Sequence, residues 1–229
     1  MSVGWEDRAE GWIAWARKPS HDAYAHFRDA FFAILPPAGG RVLEVGCGEG
    51  RVCRDLRSRG YDAVVGLDAS PTLIAAAGKA DPAGEYVVGT AEALPFETAS
   101  FDLVVAYNSL MDVDDLVVSV REISRVLRDG GRFCACVTHP VRGRGGWEMR
   151  ASGEVYVVEH RYFDARRYRF EAARDGLEFT FDTRTYPLSD YANALESAGL
   201  LIESLREPLG RDAHDRFMPE FLLWRALAV

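Results

Sequence analysis

Nine residues from Val42 to Gly50 read Val-Leu-Glu-Val-Gly-Cys-Gly-Glu-Gly, an apolar run holding one acid and ending in three alternate glycines. Glycine has no Cβ, so such a turn lets a ligand lie directly against the backbone at the start of the following helix. A dinucleotide fingerprint of the form G-x-G-x-x-G would need its third glycine where Arg51 stands. Glu44, two residues before Gly46, would repel a pyrophosphate but suits a ligand that carries an ammonium and a sulfonium. The next acidic landmark is Asp68, in Gly66-Leu67-Asp68-Ala69-Ser70 at the end of the second strand, 22 residues after Gly46. A carboxylate there can accept both hydroxyls of a ribose, whether of a nicotinamide cofactor or of adenosylmethionine; it could equally be a charge that complements a helix N-terminus.

These residues need elements to hold them. From Arg41 onward, strand-like and helix-like segments alternate: 41–45, 53–58, 63–67, 71–77, 86–88, 101–106, 116–127 and 132–138. Such alternation builds a mostly parallel, Rossmann-like doubly wound α/β sheet covered by helices. Ser70-Pro71 offers an N-cap with proline at the first helical position, and Asp129-Gly130-Gly131 breaks a helix before the next strand. Upstream, Trp5, Trp12, Trp15, Tyr24, Phe27, Phe31 and Phe32 recur at spacings of amphipathic helices, which predicts an N-terminal helical cap over 1–40. Between 141 and 186 the rhythm changes to strands at 155–160 and 168–182 around Asp175-Gly176, an antiparallel insertion over the acceptor side. The α/β pattern returns over 187–229, with a helix at 189–198 stopped by Gly199 and strands at 201–205 and 221–229, so 41–140 and 187–229 together form the expected cofactor-binding domain.

Five blocks in this order, Val42 to Gly50, Gly66 to Ser70, Gly89-Thr90-Ala91-Glu92-Ala93-Leu94-Pro95-Phe96, Ser100 to Val104 and Arg125 to Gly131, give the chain a specific likeness. It resembles the class I S-adenosylmethionine-dependent methyltransferases of the ubiquinone/menaquinone-biosynthesis-like branch, also called type 11, over roughly residues 40 to 138. The resemblance implies an enzyme whose cofactor is S-adenosyl-L-methionine. Glu44, Gly46 and Gly48 would hold its methionine end and Asp68 its ribose, with Ala69 in the same cofactor site. Ala91 and Glu92 would lie beside the adenine, and Tyr107 and Asn108 would border the methyl group. Family members commonly carry aspartate where this chain has Thr90, and the hydroxyl of Thr90 or the carboxylate of Glu92 can replace that acceptor.

Methyl transfer is an in-line displacement at an activated carbon, so alignment matters most and a general base is optional. The likeness implies a small-molecule acceptor methylated at oxygen or nitrogen, with carbon also possible. Proton acceptors are sought at the carboxyl ends of the strands. His139 follows the strand 132–138 and is the expected catalytic residue; its alternative is a hydrogen bond in the turn before Pro140. Tyr107 either meets the acceptor or only walls the cofactor pocket, Asp112 more readily caps a helix near Asp114 and Asp115, and His160 is either an acceptor contact or a surface strand residue. Tyr24 and Phe27 of the cap either close over the site or are plain core. Eight arginines against five acids between Val141 and Arg174 give a local excess of positive charge that suits an acidic acceptor or a solvated hairpin face.

A net charge of -8 opposes binding of nucleic acid over the surface, and Tyr107-Asn108-Ser109-Leu110 replaces the acidic block of nucleic-acid methyltransferases. A nucleic-acid methyltransferase and a non-catalytic cofactor-binding regulator remain the alternative readings. Cys47, Cys53, Cys134 and Cys136 follow no disulfide framework or zinc spacing, so no metal is expected. No apolar run approaches the ~18 residues of a membrane span, which makes a cytoplasmic protein without a membrane partner the expectation.

Overall fold

The computed structural model describes residues 4–19, 21–210 and 217–229; positions 1–3 and 20 of the expected cap lie outside them. Two helices come first, α1 (Trp5–Ala16) and α2 (Tyr24–Phe32). The alternating core follows as β1 (Arg41–Val45), α3 (Arg51–Ser58), β2 (Ala63–Asp68), α4 (Pro71–Ala80), β3 (Glu85–Val88), β4 (Phe101–Tyr107), α5 (Leu116–Val126) and β5 (Leu127–Thr138). Four strands then pair off, β6 (Gly145–Arg150) with β7 (Gly153–Val158) and β8 (Arg166–Arg174) with β9 (Leu177–Thr185). The chain ends in α6 (Leu188–Ser197), β10 (Leu200–Arg206) and β11 (Phe221–Ala228).

The central sheet has seven strands in the order β10-β11-β5-β4-β1-β2-β3. Strands β1 to β5 run parallel, while β11 is antiparallel to both β5 and β10. This is the Rossmann-like, mostly parallel sheet that the alternation predicts. Its order reverses between β1 and β4, which opens a crevice at the carboxyl ends of those strands.

Alternation along the strands divides the core in two. Leu43, Val45, Val65, Val104, Phe133 and Ala135 face α5 and α6, where they pack with Val120, Ile123, Ala194 and Leu195. Val42, Val64, Leu103, Val105, Cys134 and Cys136 face α2 and α3, against Phe27, Phe31, Val52 and Leu56. Strands covered on both faces must be apolar throughout, which explains the continuous runs in β1 and β4. All four cysteines are buried, free thiols.

The caps follow local chemistry. Ser70 Oγ accepts from Leu73 N–H at 3.1 Å with Pro71 behind it, and Asp115 Oδ1 accepts from Val117 and Val118 N–H at 3.0 Å each. In the hairpin β8–β9, Asp175 (φ 50°) and Gly176 (φ 75°) both take the left-handed conformation that a two-residue turn requires. Strand β5 begins earlier than the glycine break suggests and slips register against β4 between Phe101 and Leu103. Strand β6 has no alternating signal in Gly-Gly-Trp-Glu-Met-Arg; Trp147 meets Tyr156 across the ladder at 5.5 Å.

Candidate active site

Strand β1 leads into a turn held by three backbone bonds: Gly46 and Cys47 N–H to Leu67 O at 2.8 and 2.9 Å, and Gly48 N–H to Asp68 Oδ2 at 2.9 Å. Gly46 has φ 72°, and a Cβ there would overlap Ser109, whose hydroxyl donates to Val45 O at 2.6 Å. The turn therefore binds the ends of β1, β2 and β4 into one rigid floor. Gly50 (φ 82°) starts α3 without a side-chain cap, which leaves the positive end of that helix open to a ligand.

Charge around this floor is arranged by depth. Glu44 is 1% exposed and accepts from the Cys53 thiol at 2.8 Å; burial pushes its carboxyl well up, and the Cys53 thiol beside it adds to the shift. Asp68, 8% exposed, spends one lone pair of each oxygen on Gly48 and Ser70 N–H, both at 2.9 Å, and keeps a second on each. Burial raises its carboxyl, against which those backbone bonds pull. Arg51 pairs with Asp22 and lies over the rings of Tyr24 (4.4 Å) and Trp12 (5.2 Å).

Tyr107, at the end of β4, stands edge-on to Tyr24 at 5.1 Å and to Phe31 at 5.0 Å, and its buried hydroxyl has no hydrogen-bond partner. Asn108 follows in the left-handed conformation (φ 53°) and donates its N–H to Cys136 O at 2.8 Å. On the far side Glu92 is committed: its Oε1 accepts from Asp114 and Asp115 N–H at 2.8 and 3.3 Å. Thr90 and buried Ala91 border the same space.

Helix α1 closes the top. Glu6 accepts from the Ser70 hydroxyl, from the Thr72 hydroxyl at 2.6 Å and from Thr72 N–H at 3.2 Å, which docks α1 on the start of α4. Arg17 reaches Glu49 at 3.5 Å and Ala76 O at 3.2 Å. Beneath this cap lies a cavity of about 670 Å³, lined by Glu44, Gly46, Gly48, Asp68, Ala69, Thr90, Ala91, Glu92, Tyr107, Asn108 and Tyr24. The expected cofactor residues and Tyr24 of the cap thus share one space, of the size usual for small-molecule sites.

A further set of residues, together called the chamber, lines the same cavity. They are Trp5 and Trp12 of α1, Thr138 at the end of β5 and Arg142 beyond it, Tyr168 and Phe170 of β8, Phe181 and Thr183 of β9, and Asp112. Phe170 stacks on Phe181 at 4.6 Å and 7°, and Tyr168 on Phe170 at 5.9 Å and 15°. Asp112 Oδ2 accepts from Trp5 Nε1 at 3.2 Å, while buried Oδ1 has the Thr183 hydroxyl beside it and makes no hydrogen bond of ordinary length and angle. Burial pushes its carboxyl up to about 6, against the pull of Thr183, Arg8, Trp5 and Arg167. Helix capping, the reading the sequence favours for Asp112, falls instead to Asp115.

Two expected acceptor residues stand elsewhere. His139 Nε2 lies 2.8 Å from Glu207 Oε1, its Nδ1 accepts Val141 N–H at 3.3 Å, and it is not among the residues lining the cavity. Burial lowers its imidazole, with Glu207 opposing. Thr138 lines the cavity, and the next residue of an extended chain points the other way. His160 is exposed, donates its N–H to Arg144 O at 3.0 Å, and likewise is not part of the lining.

The arrangement agrees with known proteins. A family described as a methyltransferase domain matches residues 43–135. The chain is 34% identical over 175 residues to a malonyl-[acyl-carrier protein] O-methyltransferase of Enterobacter lignolyticus, covering 74% of this chain and 67% of that one. It is 34% identical over 136 residues to a probable phthiotriol/phenolphthiotriol dimycocerosates methyltransferase of Mycobacterium ulcerans, covering 58% and 53%. The crystal structure of an S-adenosylmethionine-dependent methyltransferase from Mesorhizobium loti superposes with a TM-score of 0.73 at 27% identity, over 88% of this chain and 97% of that one. The chain spans about half the length of several other curated relatives that it matches.

Proposed function

Given that the chain belongs to the S-adenosylmethionine-dependent methyltransferases, we propose that it methylates a small-molecule acceptor, at oxygen or nitrogen, in the aromatic chamber of the cavity. The observation that carries this reading is that a single cavity is lined both by the glycine turn and by residues of α1 and the hairpin β8–β9. A route through the interior fits a compact acceptor better than a polymer, and the net charge of -8 argues the same way. Among the described residues no helix is long and apolar enough to cross a membrane.

The residues present fit adenosylmethionine. A zwitterionic methionine end meets the open positive terminus of α3 and the buried acid Glu44, and Asp68 has two lone pairs left for ribose hydroxyls. Ala69 and Ala91 supply flat apolar surface for the base, and the Thr90 hydroxyl or Glu92 Oε2 supplies the polar contact, Glu92 Oε1 being engaged with the backbone. When bound, the cofactor supplies a methyl carbon already activated by a positive sulfur.

The chain's own work is alignment and exclusion of water. Tyr107 and Asn108 line the cavity, and Tyr24 packs edge-on against Tyr107. Orientation of this kind contributes roughly 7–11 kcal/mol in favourable cases. Transfer of a labelled methyl group from adenosylmethionine to members of a small-molecule panel tests the reading. Transfer to nucleic acid in its place, or binding without transfer to any acceptor, would favour the alternative readings.

A further inference from the structure

The chamber says more about its occupant than size. Asp112 is a carboxylate, a pure acceptor when ionised, and its buried Oδ1, with the Thr183 hydroxyl beside it, makes no hydrogen bond of ordinary length and angle. Something that donates a hydrogen bond belongs there. Three kinds of acceptor differ in how they meet the charges around this group. From α1 it faces Trp5 and Arg8, from β8 Arg167 and Tyr168, and from β9 Thr183 and Arg184; Arg142 lines the same chamber. A carboxylate would bring a second negative charge to Asp112. An ammonium would enter among Arg8, Arg142, Arg167 and Arg184. A neutral hydroxyl brings a donor and no charge, and the arginines favour the negative charge that develops on its oxygen as the proton leaves.

The walls add the second constraint. Phe170 is 44% exposed although it stacks on Phe181 at 4.6 Å and on Tyr168 at 5.9 Å, and its exposed part lines the cavity. Trp12 stands edge-on to Phe181 at 6.2 Å and to Trp5 at 5.7 Å, so the lining includes a cluster of ring faces and edges that suits a flat apolar body.

We propose that the acceptor is a neutral ring-bearing hydroxyl compound of the phenol class, and that Asp112 receives its proton as the oxygen takes the methyl group. The inference rests on the methyltransferase reading above. The O–H bond breaks toward Asp112, and a lone pair of that oxygen forms the bond to the methyl carbon. The electron pair of the carbon–sulfur bond goes to sulfur, giving a methyl ether and a neutral thioether; Asp112 then yields its proton to water. A carboxyl held near 6 by burial is ionised at neutral pH and still basic enough to serve.

Three probes on one ring system test this: 2-naphthol, 2-naphthoate and 2-naphthylmethylammonium, titrated by equilibrium dialysis with adenosylhomocysteine present. The wild-type protein should bind the naphthol about tenfold or more tightly than either charged probe. Naphthoate affinity should rise as pH falls from 7.5 to 5.5, and this rise should vanish in Asp112→Asn, which should bind naphthoate more tightly than wild type at pH 7.5. In the same variant, methylation of a phenol acceptor should fall by about 10²–10⁴ with cofactor affinity unchanged. A charged probe equal to naphthol in the wild type, or a wild-type order and pH dependence in Asp112→Asn, overturns the proposal; the wild-type ranking decides even if the variant does not fold. Failure of the wild-type protein to bind adenosylmethionine would instead strike the methyltransferase reading itself.

Discussion

Replacing Asp68 separates two roles that one carboxylate performs. Its oxygens hold Gly48 N–H and Ser70 N–H at 2.9 Å each, so it fixes the glycine turn to the start of α4 before any ligand arrives. Alanine leaves both donors unpaired, at about 1–3 kcal/mol for each buried group, or roughly 2–6 kcal/mol together. Asparagine keeps one acceptor oxygen and sets its NH2 against the other donor, so about 1–3 kcal/mol is lost. Burial raises the carboxyl of Asp68, which means that its charge costs the folded state at neutral pH. Asparagine removes that charge, so its stability loss belongs at the lower end of the range. At about 2–4 °C per kcal/mol for a chain of this size, Asp68→Asn should lower Tm by roughly 2–6 °C and Asp68→Ala by more.

Cofactor affinity follows different arithmetic. Asp68 also lines the cavity, and hydrogen bonds to a charged acceptor are worth about 1.5–3 kcal/mol. Calorimetry should then show the Kd for adenosylmethionine rising about 10- to 150-fold in Asp68→Asn, measured beside a thermal melt that shows it folded. An unchanged Kd in the folded variant would refute the ribose assignment. An unchanged Tm in Asp68→Ala would refute the clamp of the turn, whatever happens to binding.

Three further outcomes are expected. Arg144 is 1% exposed and donates to the carbonyls of Pro140, Arg161 and Asp164 at 2.6–2.8 Å, so Arg144→Met should destabilise the chain by about 3–5 kcal/mol, read as a lower urea midpoint; a wild-type midpoint would dismiss its structural role. Hydrogen bonds from Ser70 and Thr72 hold the Glu6 carboxyl below the usual range, so its contribution is present above the ordinary carboxylate pKa and lost as pH falls through the depressed one. Amide protection factors in 5–16, corrected for intrinsic exchange at each pH, should therefore fall with acidification in the wild type and be low already at pH 7 in Glu6→Gln. His139 is engaged with Glu207 outside the cavity lining, so His139→Ala should leave kcat/KM near wild type, and a loss of about 10²-fold would return it to the site.

The parallel sheet was legible because its signals are local. Apolar runs, the Ser70-Pro71 cap and the glycine turn are each set by a few neighbouring residues, and the strand order follows from right-handed connections. Strand β6 was not legible, since Gly145-Gly146 and the charges of Glu148 and Arg150 hide a ladder that only its pairing with β7 reveals. His139 shows a subtler failure. Position at the carboxyl end of a strand is necessary for a site residue but does not say on which side it points. Thr138 took the cavity side, and β11 and the chain after β10 supplied His139 with Glu220 O for its N–H and Glu207 for its ring.

Asp112 is the converse case: a residue given a bland role because its partners are distant in sequence. Trp5 lies 107 positions away, and Thr183 and Tyr168 come from a hairpin whose aromatic alternation reads as plain strand. The family match, residues 43–135, contains the glycine turn, Asp68 and the end of β4, but neither α1 nor the hairpin β8–β9. The residues expected to bind the cofactor thus lie inside the matched family region, and Trp5, Trp12, Phe170 and Phe181 of the chamber lie outside it. The charges around Asp112 and the rings of Trp5, Trp12, Phe170 and Phe181 are the observations on which the proposed preference for a neutral, flat hydroxyl compound rests.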